Sequence, residues 1–272
     1  MHYDPVKRML GRFFSRSPLT QDIFYRLLDI LLLRTWHIHS CLKKISRKKG
    51  ELNVLDAGSG LGQYTWYMAR KNPNWKVTAV DIKEEEIRES GEFFRKKAIK
   101  NARFITGDLL NYNIPDYYDL ILSVDVMEHI EQDFRVFSNF YRSLKPGGLL
   151  LISTPSDKGG SNTSEKNDTS FIEEHVRNGY SVAEIEQKLR NAGFESMEVK
   201  YTYGWPGNIA WHISMKYPML MLRLSKTFII LLPFYYIITM PLVLLLNLAD
   251  LKLTHTSGTG LMVKAWKQQR GN

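Results

Sequence analysis

The stretch Val54-Leu55-Asp56-Ala57-Gly58-Ser59-Gly60-Leu61-Gly62 decides how this chain is read. A short apolar run ends in three glycines at alternate positions, and helix-compatible sequence follows from Gln63 to Lys71. That pattern is a strand turning sharply into a helix. Glycines at 58, 60 and 62 let the backbone turn tightly and approach a ligand with no Cβ in the way. The G-x-G-x-G spacing differs from the dinucleotide fingerprint G-x-G-x-x-G, and it lacks the Lys-Ser/Thr of a phosphate-binding loop.

Outward from this turn, further apolar runs recur at Val77–Val80, Phe104–Thr106, Leu120–Val124 and Leu149–Ser153. Helical stretches separate them at Gln63–Lys71, Glu84–Lys100 and Phe134–Leu144. Alternating strands and helices predict a parallel sheet with helices on both faces. Near-continuous apolar strands agree, because such strands are buried on both sides. A helix over Ser181–Ala192 with Gly193 as its C-cap, a sixth strand over Phe194–Tyr203 and a last one over Thr259–Trp266 complete the pattern.

Two carboxylates follow the glycine turn at informative places. Asp81 ends the second strand, 23 residues after Gly58. A carboxylate there can accept hydrogen bonds from both hydroxyls of a ribose. Asp108, in Thr106-Gly107-Asp108-Leu109, follows the third strand and is placed to accept from the exocyclic amine of an adenine. Either one alone is as easily a helix cap or a turn former.

With these residues in order, the chain resembles the class I S-adenosylmethionine-dependent methyltransferases. The resemblance rests on VLDAGSGLGQYT, AVDI, TGDLL, YDLILSVDVMEHI and LKPGGLLLIS, and covers about Glu51–Phe194. It implies an α/β fold: a Rossmann-like seven-stranded sheet, mostly parallel, whose last strand runs antiparallel. It also implies S-adenosylmethionine as cofactor. By position, Asp56, Gly58, Gly60 and Gly62 would form the methionine and ribose side of the site. Asp81 would hold the ribose, and Asp108 with Leu109 the adenine. Ser123 and Asp125 would face the donor methyl and the acceptor.

Asp125-Val126-Met127-Glu128-His129 carries a separate expectation. If a helix begins here, Asp125, Glu128 and His129 share one face. With His175 they would suit a divalent cation such as Mg²⁺, Mn²⁺ or Zn²⁺. The pattern is similar to the metal sites of ubiquinone-biosynthesis O-methyltransferases and small-RNA 2′-O-methyltransferases, where the first position is usually Glu. The metal-free alternative makes His129 or His175 a general base.

The flanks give the remaining expectations. Residues 1–50 read as N-terminal amphipathic helices, with Ile23, Leu27, Ile30, Leu31, Ile38 and Leu42 at helical spacing from Thr20 to Ile45. Their basic residues either face acidic headgroups or form a solvated face over a sheet edge. Residues 51–204 read as the cofactor-binding core, 205–256 as an apolar insertion and 257–272 as the closing strand and tail. The polar loop Ser156–Thr169 is either a lid over the site or a solvated connector. Phe228–Leu248 runs 21 residues without a charge, long enough to cross a bilayer core. Pro233 and Pro241 argue against one straight span. The return to a last strand favours a monotopic hairpin on the cytoplasmic side of a membrane. Lys216, Arg223 and Lys226 beside it suit an anionic leaflet. A buried subdomain or a homodimer interface is the alternative.

The chain has 272 residues, one cysteine (Cys41) and 37 basic against 28 acidic side chains, a net charge of +9. A single cysteine excludes a disulfide framework and cysteine-rich metal sites. Hydrophobic content of 44% and charged content of 24% exclude disorder as the main state. The positive charge favours anionic partners. No basic stripe interleaved with aromatics reads as a nucleic-acid platform. The expected function is therefore methylation of a lipophilic acceptor at a membrane surface, with a phenol or quinone-precursor hydroxyl favoured. C-methylation of a prenylated quinone, methylation of a lipid headgroup, an RNA 2′-O-methyltransferase and a catalytically silent membrane scaffold are the alternatives.

Overall fold

The computed structural model describes residues 17–47, 50–159 and 176–269. In chain order they form α1 (Pro18–Leu31), α2 (Leu33–Ser46), β1 (Leu52–Ala57), α3 (Gln63–Lys71), β2 (Trp75–Asp81), α4 (Glu84–Lys96) and β3 (Ala102–Thr106). There follow β4 (Tyr118–Val124), α5 (Asp133–Ser143), β5 (Leu144–Pro155), α6 (Val182–Asn191) and β6 (Ser196–Thr202). Then come α7 (Trp205–Trp211), α8 (Tyr217–Leu224), α9 (Leu232–Lys252) and β7 (Gly260–Trp266).

The strands make one seven-stranded sheet in the order β3-β2-β1-β4-β5-β7-β6. The first five are parallel, and β7 runs antiparallel between β5 and β6. Each expected strand is present. The order reverses between β1 and β4, so the crevice beyond their carboxyl ends is the switch point where ligands bind in such sheets.

Alternation along the strands sends side chains to two cores. Leu55, Ala57, Ile121, Leu150, Ile152 and Val263 face one side and meet Phe137 and Phe140 of α5 and Ile185 and Leu189 of α6. Val54, Leu120, Leu122, Leu149, Leu151 and Met262 face the other and meet Trp66 of α3, Phe93 and Phe94 of α4, and Ile38 and Leu42 of α2. The N-terminal helices thus belong to the core layer. In α1, Tyr25 is the buried anchor, while Leu19, Ile23, Leu27 and Ile30 point outward. The helical spacing of that stripe was legible, but the stripe faces away from the sheet. Leu32, extended at ψ 109°, separates α1 from α2.

The insertion between β6 and β7 is a helical hairpin. Asp250 near the end of α9 accepts from the backbone of Tyr203 and Gly207, while Tyr235 and Tyr236 near its start donate to the carbonyls of Ile213 and Ser214. The two arms are therefore antiparallel, as the return to β7 requires. One expectation is corrected. Pro241 does not end the helix, which runs unbroken through it. Pro233 sits in the first turn, where its missing N–H has no helical partner to lose. Of the expected polar loop only Ser156–Gly159 is described, so the lid reading lies outside the described residues.

Candidate functional site

The glycine turn is held from three sides. Gly58 and Ser59 donate to the carbonyl of Val80 on β2, which draws the turn across the β1–β2 crevice. Tyr25 of α1 donates its hydroxyl to the carbonyl of Leu61. Asp81 accepts from Gly60 N–H at 2.8 Å through one oxygen and from Lys83 N–H at 2.9 Å through the other. Gly58 has φ +76°, and a Cβ there would lie 2.3 Å from Cγ2 of Val126. Only glycine fits both the backbone and the space.

Beneath the turn, Asp56 is buried and accepts from the Thr65 hydroxyl. Burial pushes its carboxyl up to about 7; the Thr65 hydrogen bond opposes this and Asp81 adds to it. Two buried hydroxyls flank the turn with no hydrogen-bond partner among the described residues, Ser59 in the turn and Ser123 at the end of β4. Unpaired buried donors are uncommon and call for a partner. A cradle with no Cβ and two waiting hydroxyls fits a polar ligand such as S-adenosylmethionine. Asp108 turns one oxygen onto its own chain, accepting from Leu110 N–H at 2.9 Å. Leu109 packs its side chain into the core, and its carbonyl accepts from Asn139.

At the end of β4 the geometry departs from the sequence reading. Asp125 has φ +51°, outside any helix, and Met127–His129 is a single 3₁₀ turn. The expected shared helical face for Asp125, Glu128 and His129 therefore does not form. Asp125 instead pairs with Arg34 from the start of α2. Glu128 is buried and accepts from Thr154. Burial, with Asp125 beside it, pushes its carboxyl up to about 8. With Asp125 committed to a guanidinium and Glu128 turned onto Thr154, the expected ligand set is not assembled among the described residues. Among the described residues no group of three His, Cys, Asp or Glu side chains gathers to hold one. His175, the expected fourth ligand and alternative base, lies outside the described residues. His129 is half-buried on the 3₁₀ turn.

Three side chains here were not among the expected site residues: Arg34, Tyr64 and Tyr203. Burial works against the Arg34 charge, but Asp125, Tyr64 and Tyr203 together outweigh it and hold the guanidinium charged. The Arg34 backbone N–H donates to the Tyr203 hydroxyl at 3.0 Å. Burial pushes the Tyr203 phenol up to about 12 and raises that of Tyr64, so both stay protonated. The available signal was a charge interrupting the apolar run Ile30–Leu33.

A family model described as a methyltransferase domain matches residues 48–203. Malonyl-[acyl-carrier protein] O-methyltransferase 1 of Ilyobacter polytropus is 31% identical over 153 residues, covering 56% of this chain and 54% of the relative. Phosphoethanolamine N-methyltransferase 1 of Zea mays is 32% identical over 158 residues, covering 56% of this chain and 30% of the relative. The chain thus spans about half or less of the length of these relatives. Among solved structures, phosphoethanolamine N-methyltransferase 2 of Haemonchus contortus in complex with S-adenosyl-L-methionine superposes at TM-score 0.60 with 20% identity, covering 90% of this chain and 60% of that one. The N-methyltransferase NodS of Bradyrhizobium japonicum, in complex with S-adenosylhomocysteine, superposes at TM-score 0.51 with 17% identity, covering 88% and 90%. Both likenesses concern the fold.

Proposed function

Since the chain belongs to the family of methyltransferase domains, we propose that it transfers a methyl group from S-adenosylmethionine to a lipophilic acceptor at a membrane surface. The observation that carries the cofactor is the glycine turn drawn onto β2, with Asp81 beside it and the unpaired hydroxyls of Ser59 and Ser123 around it. Bound there, S-adenosylmethionine supplies an already activated methyl on a sulfonium, open to in-line displacement.

The chain's own work is then largely orientation, which can lower a barrier by several kcal/mol (about 7–11 in the best intramolecular cases). Asp81 offers free lone pairs to a ribose beyond those given to the Gly60 and Lys83 amides. Tyr64 and Tyr203 stand beside the Arg34–Asp125 pair at the end of β4. His129, on the turn after β4, is the side chain we assign to take the proton of a hydroxyl acceptor, such as a phenol or quinone precursor.

The acceptor's lipophilicity is argued from the hairpin. Ile230, Phe234, Ile237 and Ile238 are 64–78% exposed, and α9 is long and apolar enough to cross a membrane while only 11% of its apolar window is buried. A patch of this kind marks an interaction surface. A hairpin whose two ends meet the same sheet suits one leaflet better than a crossing. Lys216 and Arg223 on the hairpin suit anionic headgroups.

The test uses the full chain, methyl-labelled S-adenosylmethionine and a lipid extract, with and without EDTA. Label entering the organic phase, unaffected by EDTA, is the expected result. S-adenosylhomocysteine binding with no organic-phase label would overturn the lipophilic acceptor and leave the fold's cofactor site standing. Flotation with anionic vesicles separates a membrane surface from a face that pairs two copies, which would dimerise without lipid.

A further inference from the structure

Arg34 stands where α2, β4 and the hairpin base meet. Its guanidinium is engaged by Asp125 and Tyr64, and its side chain is still 35% exposed. A guanidinium has five N–H donors in a planar fork suited to carboxylate and phosphate oxygens. Asp125 uses one guanidinium nitrogen, Nη1. Asp125 itself is 29% exposed and sits at φ +51°, so the pair lies at an open crevice and not inside the core.

The hairpin base packs against the start of α2 beside this pair. Leu33, adjacent in sequence, packs close to Gly207 at the start of α7. Tyr203, bonded to the Arg34 backbone, precedes Trp205 and Ile209, which are 66% and 44% exposed. The charged fork thus lies at the carboxyl end of β4, on the acceptor side of the switch point, beside the base of the hairpin.

We propose that Arg34 is an anion anchor for the acceptor: the chain methylates a lipophilic molecule bearing a carboxylate or phosphate near the methylated atom. This rests on the methyltransferase reading above. In the absence of that ligand, Asp125 serves as the counter-ion of Arg34. The acceptor's acidic group takes up the remaining fork donors.

The test is calorimetry on the S-adenosylhomocysteine-loaded full chain. The probes are octyl phosphate below its micellar concentration, inorganic phosphate and octyltrimethylammonium. Octyl phosphate is expected to bind at least tenfold more tightly than the cation. Arg34→Gln should lose tenfold or more of that affinity while S-adenosylhomocysteine affinity stays within twofold, and Arg34→Lys should recover part of it. Asp125→Asn, which removes the competing carboxylate, should tighten octyl phosphate binding. This second variant carries the test if Arg34→Gln does not fold. Inorganic phosphate bound as tightly as octyl phosphate, with the same Arg34 dependence, would support the anchor and place the acid on a soluble molecule. Equal octyl phosphate affinity in wild type and Arg34→Gln, or preference for the cation, would overturn the anchor. A wild-type chain that fails to bind S-adenosylhomocysteine would instead remove the methyltransferase reading on which it rests.

Discussion

Single residues carry the clearest consequences. Glu128 has an ordinary carboxyl value of 4.5 when exposed and is pushed up to about 8 when folded. The folded state therefore holds more protons than the unfolded state between those values. Stability falls as pH rises through that window, by at most about 1.4 kcal/mol per unit from this group, and is level above it. Glu128→Gln keeps the shape without the charge. Its melting temperature should match wild type near pH 4.5 and exceed it near pH 9, as pH-resolved thermal melts would reveal. Gly58→Ala should cost more than the roughly 1–2 kcal/mol of a left-handed non-glycine residue, because its Cβ also meets Val126. Weakened S-adenosylhomocysteine binding should accompany the lower melting temperature; unchanged binding would count against the turn as the cofactor cradle. The glycines and Asp81 were legible because they lie within one strand–turn–helix unit and the next strand. Arg34 was not, since its partners stand 91 and 169 residues away. No local pattern couples such distances; the sheet does.

Elements were legible where two-sided burial wrote itself into the sequence. β1, β4 and β5 each carry a near-continuous apolar run because both of their faces are covered. The hairpin's shape was readable only in outline, since what fixes it is one carboxylate. Asp250 of α9 is fully buried and accepts from the Tyr203 and Gly207 amides, with His37 Nε2 at 2.9 Å and His255 Nε2 at 3.2 Å. It ties α2, β6, α7 and the approach to β7 into one knot. Asp250→Ala should cost about 3–5 kcal/mol by leaving buried partners unmatched, read as a fall in the denaturation midpoint. Trimming the exposed side is expected to spare the fold and remove the membrane contact. With Ile230, Phe234, Ile237 and Ile238 all changed to Ser, anionic vesicle binding should drop at least tenfold while S-adenosylhomocysteine affinity holds. Retained flotation would move the membrane contact elsewhere on the chain.

At the scale of the whole molecule, the N-terminal helices and the cofactor turn are one structure. The sequence divides at residue 50, where the amphipathic pattern gives way to the strand–glycine–helix unit. The fold does not divide there. Tyr25, Ile38 and Leu42 lie in the same core as Trp66 and Phe93 behind the sheet. Tyr25 also donates to the carbonyl of Leu61, inside the glycine turn, and Gln63 donates to Asp29 of α1 at 2.7 Å. A chain cut to begin at Gly50 would bare that face and free the turn from one of its three restraints. Each large apolar side chain removed forfeits about 1.5–3 kcal/mol of burial, and several together exceed the margin of a typical domain. The truncated chain should lose cooperative thermal unfolding and S-adenosylhomocysteine binding together. Binding that survived the cut would make residues 17–47 an appendage, and would leave Arg34 outside the acceptor site it is proposed to serve.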